Sequence, residues 1–352
     1  MSNITVLTLC DRIALFHSLK PFFFNYGSRR FTFTSDPLWC LASDKNDILI
    51  MVRQFIKPDY VNIDLLKKLR TKYRRIAFFH DDAGGGIPRL EILPFVDLFY
   101  SKALFKDTSL YNKSLYGKEL YSDYYHKRYG IIDPDARERV GENRPEELSK
   151  LRLSWNIGIG DYPRGTLRQR SGILAARLIS PQSARFFYLP TRPIQPVNKE
   201  LFPIHCRIGM ISRPSINYQR SLIMETVSSV PEFLTGMVPQ SRFNREIKHA
   251  KITVSPFGWG ELCLRDFEAV RNASLLLKPD MSHLETWPNV FIPEETYIPF
   301  NWDADNLVEI ALRYLKDGDA RRKIALNALH NYQGQLDQLD ERFTSIIEEI
   351  TG

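Results

Sequence analysis

Long apolar runs are missing from this chain. No stretch stays free of charge for the roughly 20 residues that a bilayer-spanning helix needs. Asp11 and Arg12 follow the first apolar run directly, which does not fit a secretory signal. Cysteine is scarce as well. Cys10, Cys40, Cys206 and Cys263 are widely scattered, with no metal-binding spacing, and read as reduced thiols of a cytoplasmic protein. No internal repeat, low-complexity segment or nucleic-acid recognition motif stands out, and the basic residues are dispersed, which argues against a nucleic-acid partner.

What is present fits a globular protein with a full core: 43% apolar and 25% charged residues. A length of 352 residues suggests two domains. The net charge of +7 favours anionic partners, a class that includes nucleic acid, phosphorylated small molecules and anionic membranes.

Strands and helices alternate along the N-terminal half. Ile4–Leu9, Arg30–Thr34, Asp47–Val52, Arg75–Phe79 and Asp97–Tyr100 read as strands, and Arg12–Phe24 and Val61–Tyr73 as helices. Such alternation predicts parallel βαβ units and an open Rossmann-like sheet. Between Lys102 and Arg128 tyrosines interleave with basic residues. This segment reads either as a surface for an acidic or lipid-phosphate acceptor, giving a peripheral membrane contact, or as a solvated helix with half-buried tyrosines. The proline-rich stretch Phe187–Pro203 marks a boundary. It divides an N-terminal, acceptor-binding Rossmann-like domain, 1–190, from a C-terminal domain, 204–352, that takes in the terminal helices.

Beyond the boundary, Cys206–Ile211 is expected as a strand, Tyr218–Val230 as a helix, and Ser241 and Asp305 as helix caps. The stretch Lys251–Asp280 reads as strand, glycine-containing turn, helix and strand. Its turn, Ser255–Gly260 with Gly258 and Gly260, places backbone N–H groups and a helix N-terminus, starting near Glu261, at a sheet edge where anions bind.

Several of these segments together resemble GT-B glycosyltransferases, the group containing families one and four. Pro231–Pro239, the helix to His249-Ala250, Ile252–Pro256, Phe267-Glu268-Ala269, Leu275–Leu277 and Asp303–Leu307 carry the resemblance, which covers about 207–332. It implies an α/β fold of two Rossmann-like domains facing a cleft. The implied activity is transfer of a sugar from a nucleotide-sugar donor to a saccharide or lipid-linked acceptor, in surface polysaccharide or glycolipid assembly. The nucleotide-sugar is then a co-substrate, with no other cofactor and no metal. By resemblance Glu268 holds the ribose, Arg213 touches the diphosphate, and His283 and Glu285 lie in the loop beneath the donor. Counting back from Glu268, the first glutamate of the retaining members' pair falls on Gly260, with Glu261 next to it, so the stereochemical outcome stays open.

Arg220 opens the helix after Arg213 and is a second phosphate candidate, because the guanidinium fork suits phosphate oxygens. Glu261 reads as a donor-sugar contact or as a favourable first-turn acid. His80, Asp81 and Asp82 end a strand and lead into Gly84–Gly86, so they are the candidates for activating the acceptor hydroxyl. The alternative there is a loop with capping aspartates. Two further readings compete with the enzyme: a basic nucleic-acid-binding protein and a non-catalytic nucleotide-binding module.

Overall fold

The computed structural model describes residues 4–24, 31–53, 62–81, 89–117, 119–134, 138–162, 166–189 and 201–352. In the first half the strands are β1 Ile4–Thr8, β2 Phe31–Thr34, β3 Ile48–Val52, β4 Arg75–His80, β5 Leu98–Ser101, β6 Ala103–Phe105 and β7 Leu151–Leu153. In the second half they are β8 Phe202–His205, β9 Phe233–Leu234, β10 Ala250–Val254, β11 Leu275–Pro279, β12 Leu284–Thr286 and β13 Ile298–Phe300. A six-stranded sheet runs in the order β2-β1-β3-β4-β5-β7, and a five-stranded sheet in the order β13-β11-β10-β8-β9. Every pairing within both sheets is parallel. Parallel sheets are covered on both faces, which is why β1 and β3 are apolar-rich and wholly buried.

The order reverses in each sheet, between β1 and β3 in the first and between β8 and β10 in the second. At such a switch the connections leave in opposite directions and open a crevice at the carboxyl ends of the strands, where open α/β sheets bind ligands.

Among the described residues the two units meet at several points, three of which bear on the site. β12 pairs antiparallel with β6, Leu284 opposite Phe105. Helix Leu120–Tyr129 lies against helix Pro214–Val227: Gln219 Nε2 donates to the Tyr125 hydroxyl at 2.9 Å, which donates in turn to the Trp302 carbonyl at 2.7 Å. The tyrosine-rich segment is therefore a joint. Tyr111, Tyr121 and Tyr125 are fully buried, whereas the plainer of its two expectations is a solvated helix with half-buried tyrosines. The third connection is the last helix, Leu339–Thr351. Leu339, Phe343, Ile346, Ile347 and Ile350 bury themselves among Ile4, Phe22, Ile50 and Phe79 of the first unit. Arg152 pairs with Glu349 at 2.6 Å, and Tyr100 donates to Glu349 at 2.5 Å. By packing this helix belongs to the first unit and not to the 204–352 unit expected from the sequence.

Three local expectations need correction. The strand expected over Cys206–Ile211 lies at Phe202–His205. Cys206 N still donates to the Leu234 carbonyl, but Arg207 then turns aside to grip Glu246 at 2.7 Å and takes the chain out of the sheet. Helix Gln240–His249 follows Pro239, and Ser241 is not its cap. Asp305 does not cap helix Leu307–Lys316, because it accepts from Asn301 at 2.7 Å and Asn306 precedes the helix.

Candidate active site

The crevice between β8 and β10 gathers most of the sequence-derived donor residues. β10 runs into Ser255–Pro256–Phe257, and the chain then reverses, with Gly258 N donating to the Gly260 carbonyl at 2.9 Å. A Cβ at Gly258 would lie 2.9 Å from Cys263 Sγ, so a larger residue there would make the thiol shift. The helix begins at Leu264 and not near Glu261. Asp266 fixes this start by accepting from Cys263 N at 2.8 Å, an N-cap arrangement in which cysteine stands where serine or threonine is usual.

Below the turn lies a wholly buried ion pair. Lys278 on β11 donates to Asp266 Oδ1 at 3.0 Å, and Ser255 Oγ donates to the same oxygen at 2.6 Å. Burial pushes the Asp266 carboxyl up, against the opposing pull of Lys278 and of its hydrogen bonds. Lys278 Nζ sits 5.5 Å from the centre of the Phe257 ring.

Arg213 precedes helix Pro214–Val227 and reaches into the other unit. It pairs with Glu119 at 3.0 Å and donates to the Tyr121 hydroxyl. Burial opposes its charge, but Tyr121 and Glu119 outweigh burial and raise its pKa. Tyr121 packs on Phe257, ring centres 5.2 Å apart. Arg220, one helical face further on, donates to the Gly209 carbonyl at 2.5 Å and the Phe257 carbonyl at 3.3 Å. Arg220 therefore borders the 257–261 turn directly, and Arg213 reaches it through Tyr121. Glu261 is fully buried, and its Oε1 lies 4.0 Å from His283 Nε2. His283 stands edge-on to Trp302 at 5.5 Å, and Trp302 in turn meets Phe257 at 5.7 Å.

Glu268 is half-buried on helix Leu264–Arg271, two residues past the capping Asp266. Glu285 is exposed on β12 opposite Leu104 of β6, with Leu284 and Thr286 buried on either side of it. His80 and Asp81 close β4 in the other sheet and are buried. Ser18 Oγ donates to the Asp81 carboxylate, Arg53 donates to the Asp81 carbonyl, and Arg53 pairs with Asp11 at 3.3 Å across the β1–β3 switch. The Asp81 carboxylate is thus already engaged. Asp82 and Gly84–Gly86 lie outside the described residues.

Sequence reading missed the apolar rim of the crevice. Met210 and Ile211 after β8, Met237 after β9 and Trp259 after β10 are all exposed, on three neighbouring loops at one sheet edge. Exposure is a property of the folded loop, and nothing in these residue types announces it. Glu119 and Tyr121 were equally hidden, because they come from the other unit. Gly158 and Gly160, too weak a signal for a phosphate loop, serve close packing: a Cβ at Gly160 would fall 1.8 Å from His17 Nδ1.

His205 closes β8 just behind the crevice. It is fully buried, and neither ring nitrogen carries a hydrogen bond among the described residues. Burial first, and Arg265 second, push its pKa down to about 3. Because this lies below the ordinary histidine value of about 6.5, the unfolded chain takes up the proton first as pH falls. Stability is lost from about pH 6.5 downward, and by pH 5 the loss from this group is about 2 kcal/mol. Urea unfolding near neutrality and near pH 5 checks this, with His205→Phe expected to flatten the difference. A variant with the wild-type pH dependence would exclude His205 as its source.

Among the described residues no group of three or more His, Cys, Asp or Glu is placed to hold a metal ion, and no helix is long and apolar enough to cross a membrane.

Two open parallel α/β sheets, each with a switch-point crevice, joined through a terminal helix that returns to the first, make this a GT-B fold. Among solved structures the chain is similar to HepE of Anabaena in complex with UDP-glucose, at 9% identity and a TM-score of 0.49, over 99% of this chain and 100% of that one. It is also similar to a glycosyltransferase from Rickettsia africae, at 10% identity and a TM-score of 0.47, over 99% of each chain. A third is the DNA modifying enzyme beta-glucosyltransferase, at 12% identity and a TM-score of 0.45, over 99% of this chain and 100% of that one. No family model matches the chain, and no curated protein matches its sequence.

Proposed function

We propose that this protein is a glycosyltransferase that moves a sugar from a nucleotide-sugar donor to a saccharide or lipid-linked acceptor, in surface polysaccharide or glycolipid assembly. The observation that carries the reading is the β8–β10 crevice, where Arg220 borders the Phe257–Glu261 turn and Arg213 stands behind it through Tyr121, at a topological switch. When the glycosidic bond to the donor breaks, negative charge develops on the nucleoside diphosphate, and fixed guanidinium groups at the site stabilise that charge most in the transition state. The exposed Trp259, Met237 and Ile211 offer apolar faces to a nucleobase or sugar ring. Glu268 takes the ribose hydroxyls, as the sequence resemblance implies, and Glu261 with His283 meets the donor sugar. Acceptor activation falls to His80 and Asp81 at the end of β4, with Asp82 next in sequence, and Asp81 is already held by Ser18.

Incubation with a panel of UDP-, GDP- and ADP-sugars, alone and with saccharide acceptors, tests this. Release of one nucleoside diphosphate is expected, slowed by replacement of at least one of His80, Asp81 and Asp82. No release from any donor would contradict the reading.

A further inference from the structure

Helix Thr166–Leu178 and the turn that follows it carry an unusual pattern. On a helix of about 3.6 residues per turn, Leu167, Leu174 and Leu178 fall on one stripe. All three point outward, at 79%, 59% and 76% exposure, and the stripe continues into Ile179 at 79% and Phe186 at 67%. The helix is nevertheless seated on the protein. Its opposite side, with Gln169, Gly172 and Ala176, is buried, and a Cβ at Gly172 would come within 2.6 Å of Phe16. Its apolar residues therefore serve two faces, one packed inward and one left open. Single exposed leucines are ordinary, but a contiguous apolar stripe marks an interaction surface.

The charge around the stripe indicates what covers it. Arg170 and Arg177 flank it on one side and Arg168 on the other, with Arg185 beside Phe186, 4.7 Å from its ring centre. Within 166–189 no Asp or Glu occurs, while the same span holds four arginines. An apolar ridge with a basic border complements an anionic lipid bilayer. The ridge would sink to the acyl boundary while the arginines meet the lipid phosphates.

We propose that helix Thr166–Leu178 with Ile179 and Phe186 docks this protein on anionic membrane surfaces, with the helix lying in the plane of the interface. The surface belongs to the first unit, and the proposal stands whether or not the chain transfers sugar. It also moves the membrane contact away from the tyrosine-rich segment, which the fold uses as a joint.

Sedimentation with vesicles tests it directly. The full chain is expected to bind phosphatidylcholine–phosphatidylglycerol vesicles, to bind vesicles of phosphatidylcholine alone far less, and to release as salt rises. The triple variant Leu167→Ser, Leu174→Ser, Leu178→Ser should keep the wild-type circular dichroism and unfolding midpoint, because its side chains are exposed. Its vesicle affinity should drop by about tenfold or more. Arg170→Gln with Arg177→Gln should reduce binding to the anionic vesicles alone. Wild-type vesicle binding in the triple variant overturns the proposal. So does a concentration-dependent dimer, seen by ultracentrifugation, that the same variant abolishes, since the stripe would then be covered by a second copy of this chain.

Discussion

Lys278→Ala is expected to cost about 3–5 kcal/mol of folding stability, the range for breaking a buried ion pair by removing one partner. The magnitude follows from the environment: neither side chain of the Lys278–Asp266 pair has any exposure to solvent. Removing the ammonium leaves the Asp266 carboxylate buried beside Ser255 and the Cys263 N–H, and those two donors do not neutralise a full charge. The carboxyl then takes up a proton, and as an acid it is a poorer acceptor for the cap at Cys263. Asp266→Ala should be at least as damaging, because it strands the lysine against the Phe257 and Phe291 rings and removes the N-cap partner together with the ion pair. The double replacement Lys278→Met with Asp266→Asn should recover part of the loss, since exchanging a buried pair for well-packed neutral groups is often close to neutral. Urea midpoints of the four proteins decide the matter. A single-variant cost below about 1 kcal/mol, the size of a surface pair, would show that the pair is solvated in solution.

The second large effect concerns Arg213. Arg213→Ala is expected to lower turnover by about a hundredfold to a thousandfold, the loss measured when one donor that stabilises transition-state charge is removed. In the structure its guanidinium is shared between Glu119 and Tyr121, so it is oriented from the first unit while it stands at the crevice of the second. Arg213→Lys should recover little, because an ammonium cannot reproduce the planar fork that meets Glu119, Tyr121 and a phosphate oxygen together. A purely structural role predicts a different result: a lower unfolding midpoint in the alanine variant, with turnover per folded molecule unchanged. Measuring kcat beside the midpoint separates the two.

These two sites also show where the sequence was readable. Strands such as Ile48–Val52 and Leu275–Leu277 announce themselves because a sheet covered on both faces needs continuous apolar runs. The turn at Gly258 was readable because proline and glycine punctuate an extended run. Lys278 was not. It ends an apolar run, where a lysine normally marks the return to solvent, and only the fold reveals Asp266 facing it. The start of the following helix was misplaced for a related reason, since cysteine is not the residue expected opposite a capping aspartate. The last helix has a plain apolar face, but an amphipathic pattern does not say which sheet it will cover, and here it covers the distant one. Glu119 and Tyr121 illustrate the general limit: a site built across two units draws on residues that local pattern cannot bring together.

Calorimetric titration of the purified chain with nucleoside diphosphates is the most direct test of the central claim, that the β8–β10 crevice holds a nucleotide-sugar donor. Saturable binding of one nucleoside diphosphate is predicted, weakened by about tenfold or more in Arg213→Ala and unchanged in the triple leucine variant of helix Thr166–Leu178. Absence of binding by UDP, GDP and ADP alike, or binding that Arg213→Ala and Arg220→Ala leave intact, would contradict it.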